Sequence, residues 1–400
     1  MGLVSPLDAA TDRQRGRSRS SSGERSALLS GLQAHPHARA VLAPALLGHS
    51  SPSHAYLFHG PSGTGKRDVA RAFAAALLAD GEQDVDSVRE RIARGSHPDL
   101  TWVRPSGAAE MLVADIEEPV VAAAARTPFE SSRRVFVIEA VDTMNDQAAN
   151  RMLKTLEEPP DFVHLLLLSD RREDVLATIA SRCQPVRFDP LTSARIAESL
   201  ADVPEERAQA SARLALGDAR LARRLASEQG TALRSAAEGY VRAAFAGTSG
   251  ARPWVAMLAA SKEAGIASGE HAQARLASEL ELVPAKERKR YEREALDARR
   301  RGERRARTQA LELTLRLGEL WLRDVLCICE GAPELVHALD KRNELEHDAR
   351  LSDGDELRSS APVRAAIELM QDTRLRLSLN VSEELALEAL AYRLEDLLRS

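Results

Sequence analysis

Cysteine and aromatic residues are scarce here: the 400-residue sequence has three cysteines, and Phe, Trp and Tyr together make up 4%. Cys183, Cys327 and Cys329 are too few for a disulfide framework or a four-thiolate zinc site, and such sparing use fits a reducing cytoplasm. No apolar run approaches the ~20 residues of a membrane-spanning helix, so no membrane partner is expected. Met1 to Glu24 is polar and rich in Arg and Ser, without the apolar centre of a signal peptide. A formal charge of −5 carries no global nucleic-acid signature, so any DNA contact must come from a local patch. What is plentiful is Ala, Leu and Arg, with 29% of residues charged, a helix-forming composition. The length suffices for two or three domains with cores of their own.

The chain divides by periodicity. Residues 1–24 cannot bury enough apolar surface to order themselves and read as a disordered leader. An entry helix is expected from Ser26 to Leu47, then a strand at Ala55 to His59 and a helix from Lys66 to Ala79 with Val69, Phe73 and Leu77 on one face. Asp80 to Arg94 is charged and poorly periodic. Further strands are expected at Leu100 to Val103, Arg134 to Glu139, Val163 to Leu168 and Gln184 to Phe188, as short apolar runs suited to buried parallel pairing. Helices are expected between them at Asp115 to Arg126, Asn145 to Glu157 (stopped by Pro159-Pro160) and Asp174 to Ala180. Strands alternating with helices predict an α/β parallel sheet covered on both faces. Beyond Pro190 only helical spacing appears. The expected domains are a nucleotide-binding-type α/β domain at 25–190, a small helical lid at 191–247 and an all-α domain at 248–400.

The chemistry centres on Gly60-Pro61-Ser62-Gly63-Thr64-Gly65-Lys66-Arg67, set between the first strand and an alanine-rich helix. Gly60, Gly63 and Gly65 let backbone N–H groups turn inward around a phosphate, beside Thr64. The helix N-terminus adds positive potential, and Lys66 can reach the outer phosphates. The last position breaks the pattern. A working loop carries Ser or Thr there to put a hydroxyl on magnesium, and this chain has Arg67. Hydrolysis also needs two acids at the end of the strand expected beside the loop. That strand ends Glu139-Ala140-Val141-Asp142: Glu139 can take the magnesium position, Ala140 cannot polarise water, and Asp142 suits a cap for the next helix. The loop is therefore expected to bind ATP without efficient hydrolysis, with magnesium ligation impaired.

Two other stretches stay open on their residues alone. Arg182, in Ser181-Arg182-Cys183, reads either as a surface arginine paired with a carboxylate or as a finger donated to a neighbouring subunit's nucleotide. Lys286 to Arg307 holds eleven basic and five acidic residues, a net +6, and reads as a solvated helix face with internal pairs or as a DNA-phosphate contact. The following stripe of Leu313, Leu317, Leu320, Trp321, Val325 and Ile328 has core packing as its default meaning. Cys327 and Cys329, two apart on a helix, point to different faces and cannot chelate together.

Several stretches resemble bacterial clamp-loader subunits: Ser53-His54-Ala55-Tyr56-Leu57-Phe58-His59-Gly60-Pro61, His97-Pro98-Asp99, Ala148 to Leu153, Ser181-Arg182-Cys183, and Asn380-Val381 with Leu385-Ala386-Leu387-Glu388. Leu153-Lys154-Thr155-Leu156-Glu157-Glu158-Pro159-Pro160 is the most specific of them. The resemblance is to the AAA+ relatives of the DNA polymerase III holoenzyme, delta-prime type, whose members are poor ATPases. It implies a non-motor subunit in a hetero-oligomeric ring with motor and delta-type subunits, acting on a sliding clamp and primed DNA, with the C-terminal helices as a collar. Arg182 then matches the family's finger acting in trans, Ser169 its first sensor position, and Arg220 lies near its second. The alternative is an active motor of the gamma/tau type hydrolysing ATP at its own loop. Many family members carry a four-cysteine zinc module after the phosphate-loop helix; Asp80 to Ser96 has no cysteine, so no zinc is expected.

Overall fold

In the computed structural model the described residues are 32–47, 49–79, 85–106, 110–280, 288–351, 356–377 and 381–399. The expected leader at 1–24, the first part of the entry helix, Lys286 and Asn380 lie outside them. Two compact units emerge. One runs up to Arg195 and includes Gly217–Ala219; the other comprises Ile196–Leu216 and the chain from Arg220 onward.

The first unit is a five-stranded sheet in the order β2-β3-β4-β1-β5, from β1 (Ala55–His59), β2 (Leu100–Val103), β3 (Arg134–Ile138), β4 (Val163–Ser169) and β5 (Gln184–Arg187). Every pairing is parallel, as the uninterrupted apolar runs predict. Side chains alternate between faces. Tyr56, Phe58, Val135, Val137, Leu166 and Leu168 meet α2 (Lys66–Leu78), which follows α1 (Pro36–Leu46). Leu57, Phe136, Ile138, Leu165 and Leu167 pack on the other side with α5 (Asp146–Glu157). The register sets His59 beside Ser169 and Val103 beside Ile138, so the carboxyl ends of four strands form one edge.

Several boundaries differ from expectation. The described entry helix starts only at Pro36, with a turn before it. The charged stretch after α2 holds a helix, α3 (Val85–Ala93), anchored by buried Val88 and Ile92. The helix expected over Asp115 to Arg126 begins as α4 (Val113–Ile116) and then widens into a π-helical stretch, Glu117–Ala122. Pro119 sits inside that stretch; a proline lacks the N–H for an α-helical bond and its ring clashes with the carbonyl a turn back. Before the last strand, a 3₁₀ turn (Arg172–Asp174) precedes a single-turn α6 (Ala177–Ala180), instead of one continuous helix.

The second unit is mainly helical in its described residues, with one isolated antiparallel bridge between Arg350 and Leu357. Its core joins α10 (Glu228–Ala246), α11 (Trp254–Leu280), α12 (Arg288–Cys329), α14 (Ser360–Leu377) and α15 (Glu383–Arg399); the shorter α7 (Ser193–Glu198), α8 (Glu205–Leu214) and α9 (Ala219–Ala226) precede them, and α13 (Arg342–Asp348) lies between α12 and α14 in the chain. Leu313, Leu317, Leu320, Trp321, Val325 and Ile328 are all buried in it, so that stripe is core. Cys327 and Cys329 pack at its margin, and burial pushes both thiols up. In the basic stretch, Arg299 pairs with Glu303 one turn away and Arg307 pairs with Glu383. No described helix is long and apolar enough to cross a membrane.

Candidate functional site

The loop after β1 is closed around its own lysine. Gly60 has φ +142°, and a Cβ there would lie 2.0 Å from the backbone oxygen of Phe188, so only glycine fits this crossing of the two chain segments. Gly65 takes the left-handed conformation as the N-cap of α2, turning the loop into the helix. Thr64 is buried, and its hydroxyl donates to the Pro61 carbonyl at 3.0 Å. Lys66 is buried too. Its Nζ donates to the carbonyls of Pro61 (2.7 Å) and Gly60 and pairs with Asp170 at 2.8 Å. Burial lowers its pKa, with the Asp170 carboxylate opposing that shift. The Asp218 carboxylate lies against Gly63, 1.7 Å from where a Cβ would stand, and Ala219 N donates to the Gly63 carbonyl at 3.2 Å.

Beside Lys66, Arg67 reaches the acid on β3. Its Nη2 is 2.5 Å from Glu139 Oε2. Glu139 Oε1 accepts from Trp102 Nε1 at 2.6 Å and from Arg104 Nε at 3.1 Å, and the carboxylate is buried. The strand bearing this acid is not the neighbour of β1 as expected, because β4 lies between them. Arg67 reaches across from α2 to meet it. Ala140, with φ +54°, turns the chain into the 3₁₀ turn Val141–Thr143. Asp142 does not cap α5; Asn145 does, accepting from Ala148 N at 2.9 Å. Asp142 instead accepts from Asp170 N at 3.4 Å.

Magnesium does not fit this arrangement. The hydroxyl ligand is missing, and both oxygens of the acid are taken by donors. At ~4 Å, a divalent ion and a guanidinium would repel by on the order of 8 kcal/mol with surface-like screening, which cancels the attraction of one carboxylate at that distance. Among the described residues no group of three or more His, Cys, Asp or Glu is placed to hold a metal.

Ser169 and His59 complete the strand edge. Ser169 is buried and its Oγ accepts from Arg171 N at 3.1 Å. Burial, reinforced by nearby Arg172, lowers the His59 pKa to about 4, and Arg172 Nη1 is 3.3 Å from His59 Nε2. A cavity of about 240 Å³ opens beside the loop, lined by Leu42, Leu46, Thr64, Val69, Leu191 and His35. His35 is buried with its Nδ1 unpartnered, and burial lowers its pKa.

Arg182 sits elsewhere. It just precedes β5, whose first residue pairs with Tyr56 near the start of β1, so it lies toward the amino ends of the strands. The phosphate loop leaves from the carboxyl end. Cys183 anchors the turn: it is buried, and burial pushes its thiol up to about 12, which makes it a packing residue rather than a nucleophile. Arg182 is exposed and donates to Glu157 Oε1 at 2.9 Å and to the Thr178 carbonyl at 2.8 Å. Arg220 is exposed near the start of α9 (Ala219–Ala226), in the second unit.

Gly60, Gly63, Thr64, Gly65, Lys66, Arg67, Glu139 and Ser169 thus gather at one edge of the first unit. Sequence reasoning missed Trp102, Arg104, Asp170, Asp218 and His35. Only Arg104 carried a usable signal, as a cation directly after a strand that pairs in parallel with the acid's strand.

Residues 40–192 match the family model described as DNA polymerase III, delta subunit. This segment is similar to clamp-loader subunits of DNA polymerase III. The DNA polymerase III subunit delta' of Bacillus subtilis is 37% identical over 154 residues, covering 37% of this chain and 46% of that protein. The subunit delta' of Pseudomonas aeruginosa is 35% identical over 188 residues, covering 44% and 57%. The subunit tau of B. subtilis is 34% identical over 152 residues, covering 36% and 26%. The chain spans about half the length of the two delta' relatives it matches. Among solved structures, a DNA polymerase III gamma-subunit-related protein of Thermotoga maritima superposes with a TM-score of 0.46 at 17% identity, over 90% of this chain and 100% of that one.

Proposed function

We propose that this chain is a non-motor, delta-prime-type subunit of the replicative clamp loader, which helps to load a sliding clamp on primed DNA. It works in the cytoplasm within a hetero-oligomeric ring of motor and delta-type subunits. The observation that carries this reading is Arg67 seated on Glu139, because one side chain removes the hydroxyl a metal would need and neutralises the acid that would support it. ATP can still be held by the backbone of Gly60 to Gly65 and by Lys66, with Ser169 at the same edge. Arg182 serves a neighbouring ATPase subunit, in keeping with its exposure and its distance along the strands from its own loop. Residues 191–247 act as a lid that carries Arg220, and the helices from 248 onward form the collar.

Reconstitution tests this. The ring assembled with motor and delta-type subunits should hydrolyse ATP on addition of primed DNA and the clamp, and should do so undiminished when this chain carries Lys66→Ala. A second reading, an active motor of the gamma/tau type, draws on the intact Lys66 and on the 34% identity to a tau subunit. It requires the isolated chain to turn over ATP and Lys66→Ala to abolish that turnover. Such turnover would overturn the non-motor reading.

A further inference from the structure

We propose that Arg67 replaces the divalent cation, so that this loop holds a nucleoside di- or triphosphate without any metal. The inference rests on the reading of Gly60 to Lys66 as a nucleotide site and adds how the phosphate charge is met. In a working phosphate loop a magnesium ion bridges the outer phosphates and is held by the hydroxyl after the lysine and by the acid of a nearby strand. Here the residue after the lysine is itself a cation. It emerges from the first turn of α2, beside the loop glycines and at the positive end of the helix.

The buried Glu139 carboxylate orients it. Oε2 receives Arg67 Nη2 at 2.5 Å, while Oε1 is occupied by Trp102 and Arg104. One carboxylate shared between two guanidiniums leaves a surplus positive charge, which favours a phosphate and opposes a metal ion. The Arg67 side chain is 42% exposed, so it is held at one end and open at the other. A guanidinium has five N–H donors in a planar fork. Those not turned to Glu139 suit two phosphate oxygens at once. Since a guanidinium stays charged at every relevant pH, the counter-charge is permanent, whereas magnesium would come and go.

The test is calorimetric titration of the full chain with ADP and with ATP, in magnesium chloride and in EDTA. The expected result is binding at least as tight in EDTA as in magnesium chloride, because magnesium competes with the loop for the free nucleotide. Arg67→Thr should weaken binding in EDTA about tenfold or more and make it recover on addition of magnesium, because Glu139 then loses its closest cation. Manganese supplies a readout that needs no variant. Adding the wild-type chain to a mixture of Mn²⁺ and ADP should not lower the electron paramagnetic resonance signal of free Mn²⁺ below that of the same mixture without protein. Tenfold tighter wild-type binding in magnesium, or Mn²⁺ taken up with the nucleotide, would overturn the inference and leave the nucleotide site standing. Absence of binding in both buffers would remove the nucleotide site as well.

Discussion

Arg182 Nε donates to Glu157 Oε1 at 2.9 Å, and this contact joins the Ser181-Arg182-Cys183 turn to the end of α5, where Glu157-Glu158-Pro159-Pro160 stops the helix. The two most distinctive stretches of the α/β unit, separated in sequence, therefore meet on its surface. Glu157 is half exposed and the pair is worth about 0–1 kcal/mol in water. An arginine finger contributes ~10³–10⁵ in rate at the phosphate it neutralises, several-fold more in free energy than the pair. So weak an exposed pair leaves Arg182 available for the proposed finger role.

Arg182→Ala is accordingly expected to lower turnover at the neighbouring site by about 10³ while the ring still assembles. Arg182→Lys should not rescue it, because an ammonium lacks the planar fork. Glu157→Gln should change turnover by no more than about threefold, in line with the small worth of an exposed pair. DNA-stimulated phosphate release and gel filtration of the reconstituted ring check all three; unchanged turnover in Arg182→Ala rules out the finger.

Asp99 holds the loop before β3. Its buried carboxylate accepts from the backbone N–H groups of Phe129 (2.5 Å), Glu130 (2.9 Å) and Ser131 (2.9 Å). Burial alone would raise its pKa, but these three donors hold it below the ordinary carboxylate value. Asp99→Ala should destabilise the chain by about 2–3 kcal/mol, since it strands three donors in a partly buried place, and Asp99→Asn by less. Urea unfolding of the variants measures this.

Acid should weaken the fold in two stages. His164 is buried on β4, its Nδ1 donating to the Ser53 carbonyl at 2.9 Å, and burial lowers its pKa to about 4. His59 behaves alike, at about 4. A histidine whose pKa falls on folding takes up its proton more readily when unfolded. Stability is therefore whole above about pH 6.5 and is lost as pH drops toward 4, by on the order of 3 kcal/mol for each fully buried ring. Asp99, shifted the opposite way relative to its charge, is stabilising above about pH 4 and adds a further loss only below it. His164→Asn should reduce the slope between pH 6.5 and 4, leaving the parts that His59, His35 and His97 contribute. A slope identical to wild type would refute this assignment.

Two glycine substitutions should have opposite signs. Gly60→Ala drives a Cβ into the Phe188 backbone at φ +142° and should cost about 2–4 kcal/mol together with nucleotide binding. Gly239, inside α10, has nothing within 4 Å of its Cβ position, so Gly239→Ala should stabilise by about 0.5–1 kcal/mol. Thermal melts of the two variants decide the matter.

Much of the architecture was legible because it is locally encoded. Runs such as Val163 to Leu168 can only be buried strands, and Gly65-Lys66 can only join a loop to a helix start. The helix at Val85–Ala93 escaped notice because just two of its residues, Val88 and Ile92, reach the core, too few to make a period. Asp142 was mistaken for the cap of α5 because Asp and Asn are equally good caps, and only the path of the 3₁₀ turn chooses Asn145.

By itself, then, the sequence determined a parallel α/β unit with a phosphate loop that lacks its hydroxyl, followed by helices, since strand runs, glycine spacing and helical periods are properties of neighbouring residues. What Arg67 does was decided only in three dimensions. Its partner lies on β3, beyond an intervening strand, and Trp102 and Arg104 reach the same carboxylate from β2. Strand order and register are set by which apolar faces bury one another, and no local pattern states them. That is why the missing hydroxyl could be read as a defect along the chain, while the folded protein turns it into an ion pair.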